Sequence, residues 1–282
     1  MPEPMLAAIA TDSGAGLAIA LAIGLVAGAV GGIAGIGGSI VMLPALGLIF
    51  GYAATNADGP TPADRHHLYM AAAMIVNAVV AIASLRQHAK AKATDAKLTR
   101  WLLPSMIAGI VLGVVLSDRF DGRIPKVGLA CFLIVVCAWW LYSAWKDLPD
   151  RSEANTKHRP AILAILGGGT GILAGFLGIG GGIVLVPTLQ LLASVPIRKA
   201  VAASTSVMWV TASVGASIKL FTLRSHGQEV SDALALGAPM GLGALVGASV
   251  GARLVHVVPQ RALRAIIGVV LAVAGARMAG FM

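Results

Sequence analysis

Two stretches of this chain, GIAGIGGSIVMLP at residues 32–44 and GFLGIGGGIVLVP at 175–187, align without a gap, and each interrupts a long apolar run. In a helix interior each glycine costs on the order of 1 kcal/mol relative to alanine. Gly35, Gly37 and Gly38 in the first copy, and Gly178, Gly180 and Gly181 in the second, crowd that cost into four residues. A hydrophobic helix is therefore expected to break at each place, and a fold for this chain must hold both breaks.

The apolar runs place the chain in a bilayer. Of its 282 residues, 57% are hydrophobic and 12% charged, and the runs reach the roughly 20 residues that a spanning helix needs. The first is A, residues 14–52, divided by its glycines. B (68–85), C (101–116) and D (124–145) follow, then a polar linker and A′ (161–193), B′ (199–221), C′ (233–254) and D′ (262–278). The N-terminus carries Glu3 and Asp12 rather than a basic segment, so no cleaved signal is expected.

The order of runs repeats together with its punctuation. Arg65 before B corresponds to Arg198 before B′, Pro104 in C to Pro239, and Pro125 opening D to Pro259. The expected domains are a first transmembrane repeat at 1–148, a cytoplasmic linker at 149–160 and a second repeat at 161–282. The fold class is all-α and polytopic, with four to five segments per repeat. Glycine-interrupted segments at corresponding positions of two repeats point to a secondary transporter's binding site.

The net charge of +9 lies in the links between apolar runs. It fits positive-inside topology and contact with anionic lipid, and nucleic acid is not expected as a partner. Arg86, Lys90, Lys92, Lys97 and Arg100 put the B to C link in the cytoplasm. If A folds back on itself, more Lys and Arg collect on that side than if A crosses once, which favours inverted over parallel halves. Cys131 and Cys137 lie too far apart around one helix to bridge and read as core packing; no metal site or cofactor is expected.

A broken helix exposes backbone N–H groups and the positive end of its dipole, which favour an anion. The new N-termini fall at about Ser39 and Gly182, and with the glycines they are the expected anion-binding residues. Gly24, Gly28 and Gly32, and Gly243, Gly247 and Gly251, read instead as stripes for close helix packing. Pro44 and Pro187 mark the breaks. Asn77, Thr211 and Lys219 are polar candidates for a pore lining; Asn77 and Thr211 read first as packing, and Lys219 first as a lysine reaching the interface. His66 and His67 read first as a solvated pair in a link, with a pH-sensitive gate as the alternative, and no Asp or Glu falls inside any span.

The paired GIGGSIVMLP and GIGGGIVLVP, with Ser204, Thr205 and Ser206 after the second, resemble the sulfite exporter TauE/SafE family of membrane permeases over almost the whole chain. The resemblance implies a multi-pass protein of the bacterial inner membrane that transports a small anion such as sulfite or a sulfonate. It carries Gly35, Gly37, Gly38, Pro44, Gly178, Gly180, Gly181, Pro187 and the Ser204–Ser206 hydroxyls as matching positions. Met70, Ala71, Ala72 and Ala73 stand in the first half where a hydroxyl-bearing stretch is expected. An anion channel and a non-transporting membrane scaffold are the alternatives; no cluster of nucleophile, base and orienting group suggests an enzyme. A proton or sodium is the expected coupling ion, and the oligomeric state, a homo-oligomer included, stays open.

Overall fold

The computed structural model describes residues 14–49, 62–120, 123–146 and 159–259, with positions 261, 262, 265, 268, 269 and 272 beyond them. Most of the linker 149–160 and most of D′ lie outside the described residues. Those described form α1 (Gly14–Ala34), α2 (Ser39–Ile49), α3 (Pro62–Lys90), α4 (Ala96–Ser117), α5 (Arg123–Trp145) and α6 (Pro160–Leu177). They continue through α7 (Gly182–Leu192), α8 (Ile197–Thr222), a 3₁₀ turn (Leu223–His226) and α9 (Val230–Leu254). No strand occurs among them. Seven helices, all but α2 and α7, are long and apolar enough to cross a membrane.

Both breaks fall on the glycines. Gly35 and Gly37 have φ of +66° and +79°, and Gly178, Gly180 and Gly181 have +72°, +71° and +106°, a region that L-residues with a Cβ rarely enter. Pro44 and Pro187 lie inside the short helices α2 and α7 rather than at the breaks. Proline removes one N–H but leaves φ helical, so the glycines, which supply the positive φ at both breaks, end the helices there.

The glycine stripes set the packing. A Cβ at Gly28 of α1 would meet Ala244 of α9, and one at Gly32 would meet Ala248; Gly247 and Gly251 face the backbone of Leu25 and Ala29 in return. Between α4 and α6 the same relation holds, with Gly109 and Gly113 against Gly168 and Ile172. Without side chains between them the backbones approach closely, which is how helices gain contact in lipid. Residue numbers rise together along both pairs, so α1 runs with α9 and α4 with α6.

Other contacts extend these directions. Ala72 and Val79 of α3 meet Gly237 and Gly241 of α9, while Met74 of α3 and Ile110 of α4 meet Gly215 of α8. Toward the end of α8, Lys219 reaches both His67, near the start of α3, and Ser117, at the end of α4. Thus α1, α3 and α9 share one direction, and α4, α6 and α8 the other. Since α1 and α3 run the same way, the chain through α2 must return between them; the chain through α7 does so between α6 and α8. Leu112, Val135, Ile165, Phe221 and Leu242 stay exposed, as suits side chains whose solvent is lipid. Cys137 is buried but Cys131 is exposed, so only the first of them packs in the core.

Candidate functional site

The two glycine turns meet at Asn77, halfway along α3. His67 and His88 bracket that helix 21 residues apart, roughly 31 Å at the α-helical rise and close to the thickness of a bilayer's hydrocarbon core. A Cβ at Gly37 would lie 2.5 Å from Asn77 Oδ1, and one at Gly180 would lie 2.8 Å from its Nδ2. The amide of Asn77 is therefore held between the two turns. A Cβ at Gly182 would lie 2.7 Å from Ile36 Cα, so the turns also touch backbone to backbone.

The two short helices then differ. Asn77 Oδ1 accepts from the N–H of Gly38 at 2.7 Å and of Ser39 at 3.1 Å, and its Nδ2 donates to Ser39 Oγ at 3.1 Å. The start of α2 is thereby satisfied from inside the protein. Among the described residues no side chain caps α7 behind Gly181. The N–H groups of Gly182, Ile183 and Val184 donate to no other described residue. These groups are buried, and an uncapped buried helix N-terminus calls for an acceptor.

Hydroxyls hold the backbone around this point. Ser204 Oγ donates to the carbonyl of Gly35 at 2.7 Å and faces that of Gly182 at 3.5 Å, tying α8 to both turns. Thr211 Oγ1 lies 3.2 Å from the carbonyl of Gly180, and Ser39 Oγ lies 3.4 Å from that of Ile179. Thr205 and Ser206 bond to carbonyls of their own helix. The structure thus brings together Gly35, Gly37, Gly38, Ser39, Gly180, Gly181, Gly182, Ser204, Asn77 and Thr211. Gly178 ends α6 against Met70, and Lys219 lies elsewhere. Asn77, first read as packing, has the most central place; its partners are 38 and 39 residues away, beyond any local pattern.

Removing the Asn77 amide should orphan two buried donors. Asn77→Leu is expected to lower stability by about 1–3 kcal/mol, read as a shift in thermal unfolding of the detergent-solubilised protein. Ser39→Ala, which keeps Asn77 Oδ1 on both N–H groups, should lose less.

A second polar cluster lies near one end of the bundle, and it corrects three expectations. His66 and His67 are buried rather than solvated, because α3 begins at Pro62 and carries both into the helix bundle. Lys219 does not reach the interface: it is fully buried, and its Nζ donates to the Asp118 carboxylate, to Ser117 Oγ at 3.0 Å and to His67 Nδ1 at 2.9 Å. Acidic residues lie closer to the spans than expected: Asp118 caps α4 just past its last residue, Ser117, and Asp232 falls in the first turn of α9. His226 joins from the 3₁₀ turn, its ring stacked on His67 at 4.0 Å. His67, Asp118 and His226 have the donor types of a metal site, but the Lys219 ammonium already takes the place of a cation between them.

At the opposite end His88 Nδ1 lies 3.1 Å from His256 Nε2. Burial, and then the charge of Arg198, push His256 below its ordinary 6.5. A histidine that resists protonation when folded stabilises the fold above its unfolded pKa and loses that contribution as pH falls. Acidification from about pH 6.5 should therefore lower the melting temperature of the wild type more than that of His256→Gln.

Broken apolar helices that meet midway along α3, inside a bundle of candidate membrane spans, have the pattern of a secondary transporter's binding site. The chain belongs to the sulfite exporter TauE/SafE family, whose model matches residues 20–278. It is 32% identical over 213 residues to the probable membrane transporter protein MJ0441 of Methanocaldococcus jannaschii, covering 75% of this chain and 74% of that one. It is 26% identical over 212 residues to the probable membrane transporter protein YunE of Bacillus subtilis, covering 70% and 76%. With the probable membrane transporter protein MamO of Magnetospirillum gryphiswaldense it shares 25% identity over 90% of this chain, but only 43% of MamO's length. No solved structure matches.

Proposed function

We propose that this protein carries a small oxyanion, sulfite or a sulfonate, across the bacterial inner membrane by alternating access around the crossed glycine turns. The observation that carries the reading is the start of α7, where buried N–H groups without a described partner lie beside the Asn77 amide. The positive end of a helix dipole favours negative charge there, and Gly180, Gly181 and Gly182 keep side chains out of its way. The family supports transport, and its description supports a sulfur oxyanion. Gly35, Gly37, Gly38 and Ser39 then act as the supporting wall of the site, since Asn77 occupies the donors at the start of α2.

In this reading the halves are inverted repeats. Support comes from the exchange of partners, α1 with α9 and α6 with α4, and from the opposed directions of α1 and α6. The loop after α3 and the linker 149–160 are then cytoplasmic, and the turn at Gln228 is external. Single cysteines at Lys92, Asn155 and Gln228 in a cysteine-free background test this: a cytoplasmic Gln228 contradicts inversion. Function is tested with purified protein in liposomes, by uptake and countertransport of sulfite, sulfate, thiosulfate, sulfoacetate and acetate. Saturable countertransport of a sulfur oxyanion is the expected result; flux at the protein-free level for all five overturns it.

A further inference from the structure

The cluster at Lys219 is built from three separate pieces of chain: His67 on α3, Ser117 and Asp118 at the end of α4, and Lys219 on α8 with His226 on the 3₁₀ turn that continues it. It joins the first half of the chain to the second near one end of the bundle. The three N–H groups of the ammonium meet three acceptors, and acceptance at His67 Nδ1 leaves the proton of that ring on Nε2. With Lys219 charged, Asp118 ionised and both histidines neutral, the cluster carries no net charge.

Two features suit the cluster to receive a proton. Asp118 Oδ2 is buried and has no hydrogen-bond partner among the described residues. His226, 15% exposed, lies with Nε2 3.6 Å from Asp118 Oδ1 and its ring against His67, which gives a proton from the water a short path inward. His66 is buried on the same turn of α3. Arg224 beside His226, and Glu229 and Asp232 at the start of α9, form no ion pair with the cluster among the described residues.

We propose that Asp118, His67, His226 and Lys219 form the proton site of the transporter, taking up one proton each time this face of the bundle opens. The inference rests on the anion-transport reading above. A proton arriving through His226 binds the Asp118 carboxylate and cancels the charge that holds Lys219. The end of α8 then separates from α3 and α4, and Lys219 faces the opening with an unbalanced positive charge. That charge admits one anion, so proton and anion enter together as a neutral pair. When the face closes, Asp118 hands its proton to the anion held at Lys219, the protonated anion carries it to the other side, and Lys219 returns to the Asp118 carboxylate.

The test uses the full chain in liposomes, with labelled sulfite to count anions and a trapped pH dye to count protons. Wild type is expected to move about one proton per anion, and Asp118→Asn close to none, whatever rate of sulfite movement it keeps. A second reading needs no transport: spin labels at exposed Leu116 on α4 and Phe221 on α8 should move apart between pH 8 and pH 5 in wild type. In Asp118→Asn their separation should not change with pH. Sulfite movement by wild type with no accompanying proton overturns this inference alone, as does an Asp118→Asn protein whose proton ratio or label separation behaves like wild type. If wild type moves no anion, the transport reading falls and this inference falls with it.

Discussion

Replacing Lys219 with methionine is expected to lower stability by on the order of 3 kcal/mol, because it leaves the Asp118 carboxylate inside the bundle without its cation. The Lys219 side chain is fully buried and that of Asp118 is 13% exposed, so little water is at hand to replace the lost partner. A charge pair in such a place is weakly stabilising as a pair, yet costly to break from one side. The double variant Lys219→Met/Asp118→Leu should therefore recover most of the loss. Thermal unfolding of wild type, both single variants and the double variant completes the cycle. Additive losses would mean that the two residues do not depend on each other.

Gly247→Ala should have an effect of similar size by a different route. Its Cβ would meet the backbone of Leu25 and lie 2.8 Å from the nitrogen of Ala29. Neither atom belongs to a side chain that could turn aside, so α1 and α9 must move apart. Overpacking of this kind costs about 1–3 kcal/mol. Gly113→Ala, whose Cβ would meet Ile172 and Phe176 of α6, should behave alike because it serves the equivalent contact. Both proteins should melt earlier than wild type, while whatever survives keeps near-normal affinity for the anion. Gly169→Ala, with no atom of the described residues within 4 Å of the added Cβ, is the matched control and should melt close to wild type.

The broken helices and the packing stripes were legible in the sequence because both have local signatures. A cluster of glycines inside an apolar run can be read without knowing what surrounds it, and so can small residues at every fourth position. What could not be read was which partner each piece would find. Asn77 is an ordinary mid-helix amide until Gly37 and Gly180 are seen on either side of it. Asp118 and His226 sit at helix ends, where charged residues commonly face water, and only the fold brings them to Lys219. His66 and His67 read first as solvated because α3 starts six residues before the apolar run that announces it. The turn glycines read as an equivalent pair, yet Asn77 caps only one of the two short helices, a difference that arises from a third segment.

That difference allows the central claim, that the anion binds the open start of α7, to be tested with matched substitutions. Gly37 and Gly180 have φ of +79° and +71°, and a Cβ at either would press on Asn77. Alanine at either position should therefore impose a similar backbone strain, on the order of 1–3 kcal/mol. Only Gly180 adjoins the N–H groups that Asn77 leaves open. The deciding measurement is sulfite affinity of Gly37→Ala and Gly180→Ala, each with its melting temperature. The account predicts similar melting temperatures, with affinity at least tenfold weaker for Gly180→Ala and nearly unchanged for Gly37→Ala. Equal losses of affinity that follow the loss of stability, or normal affinity in Gly180→Ala, would contradict it and make both glycine turns packing devices.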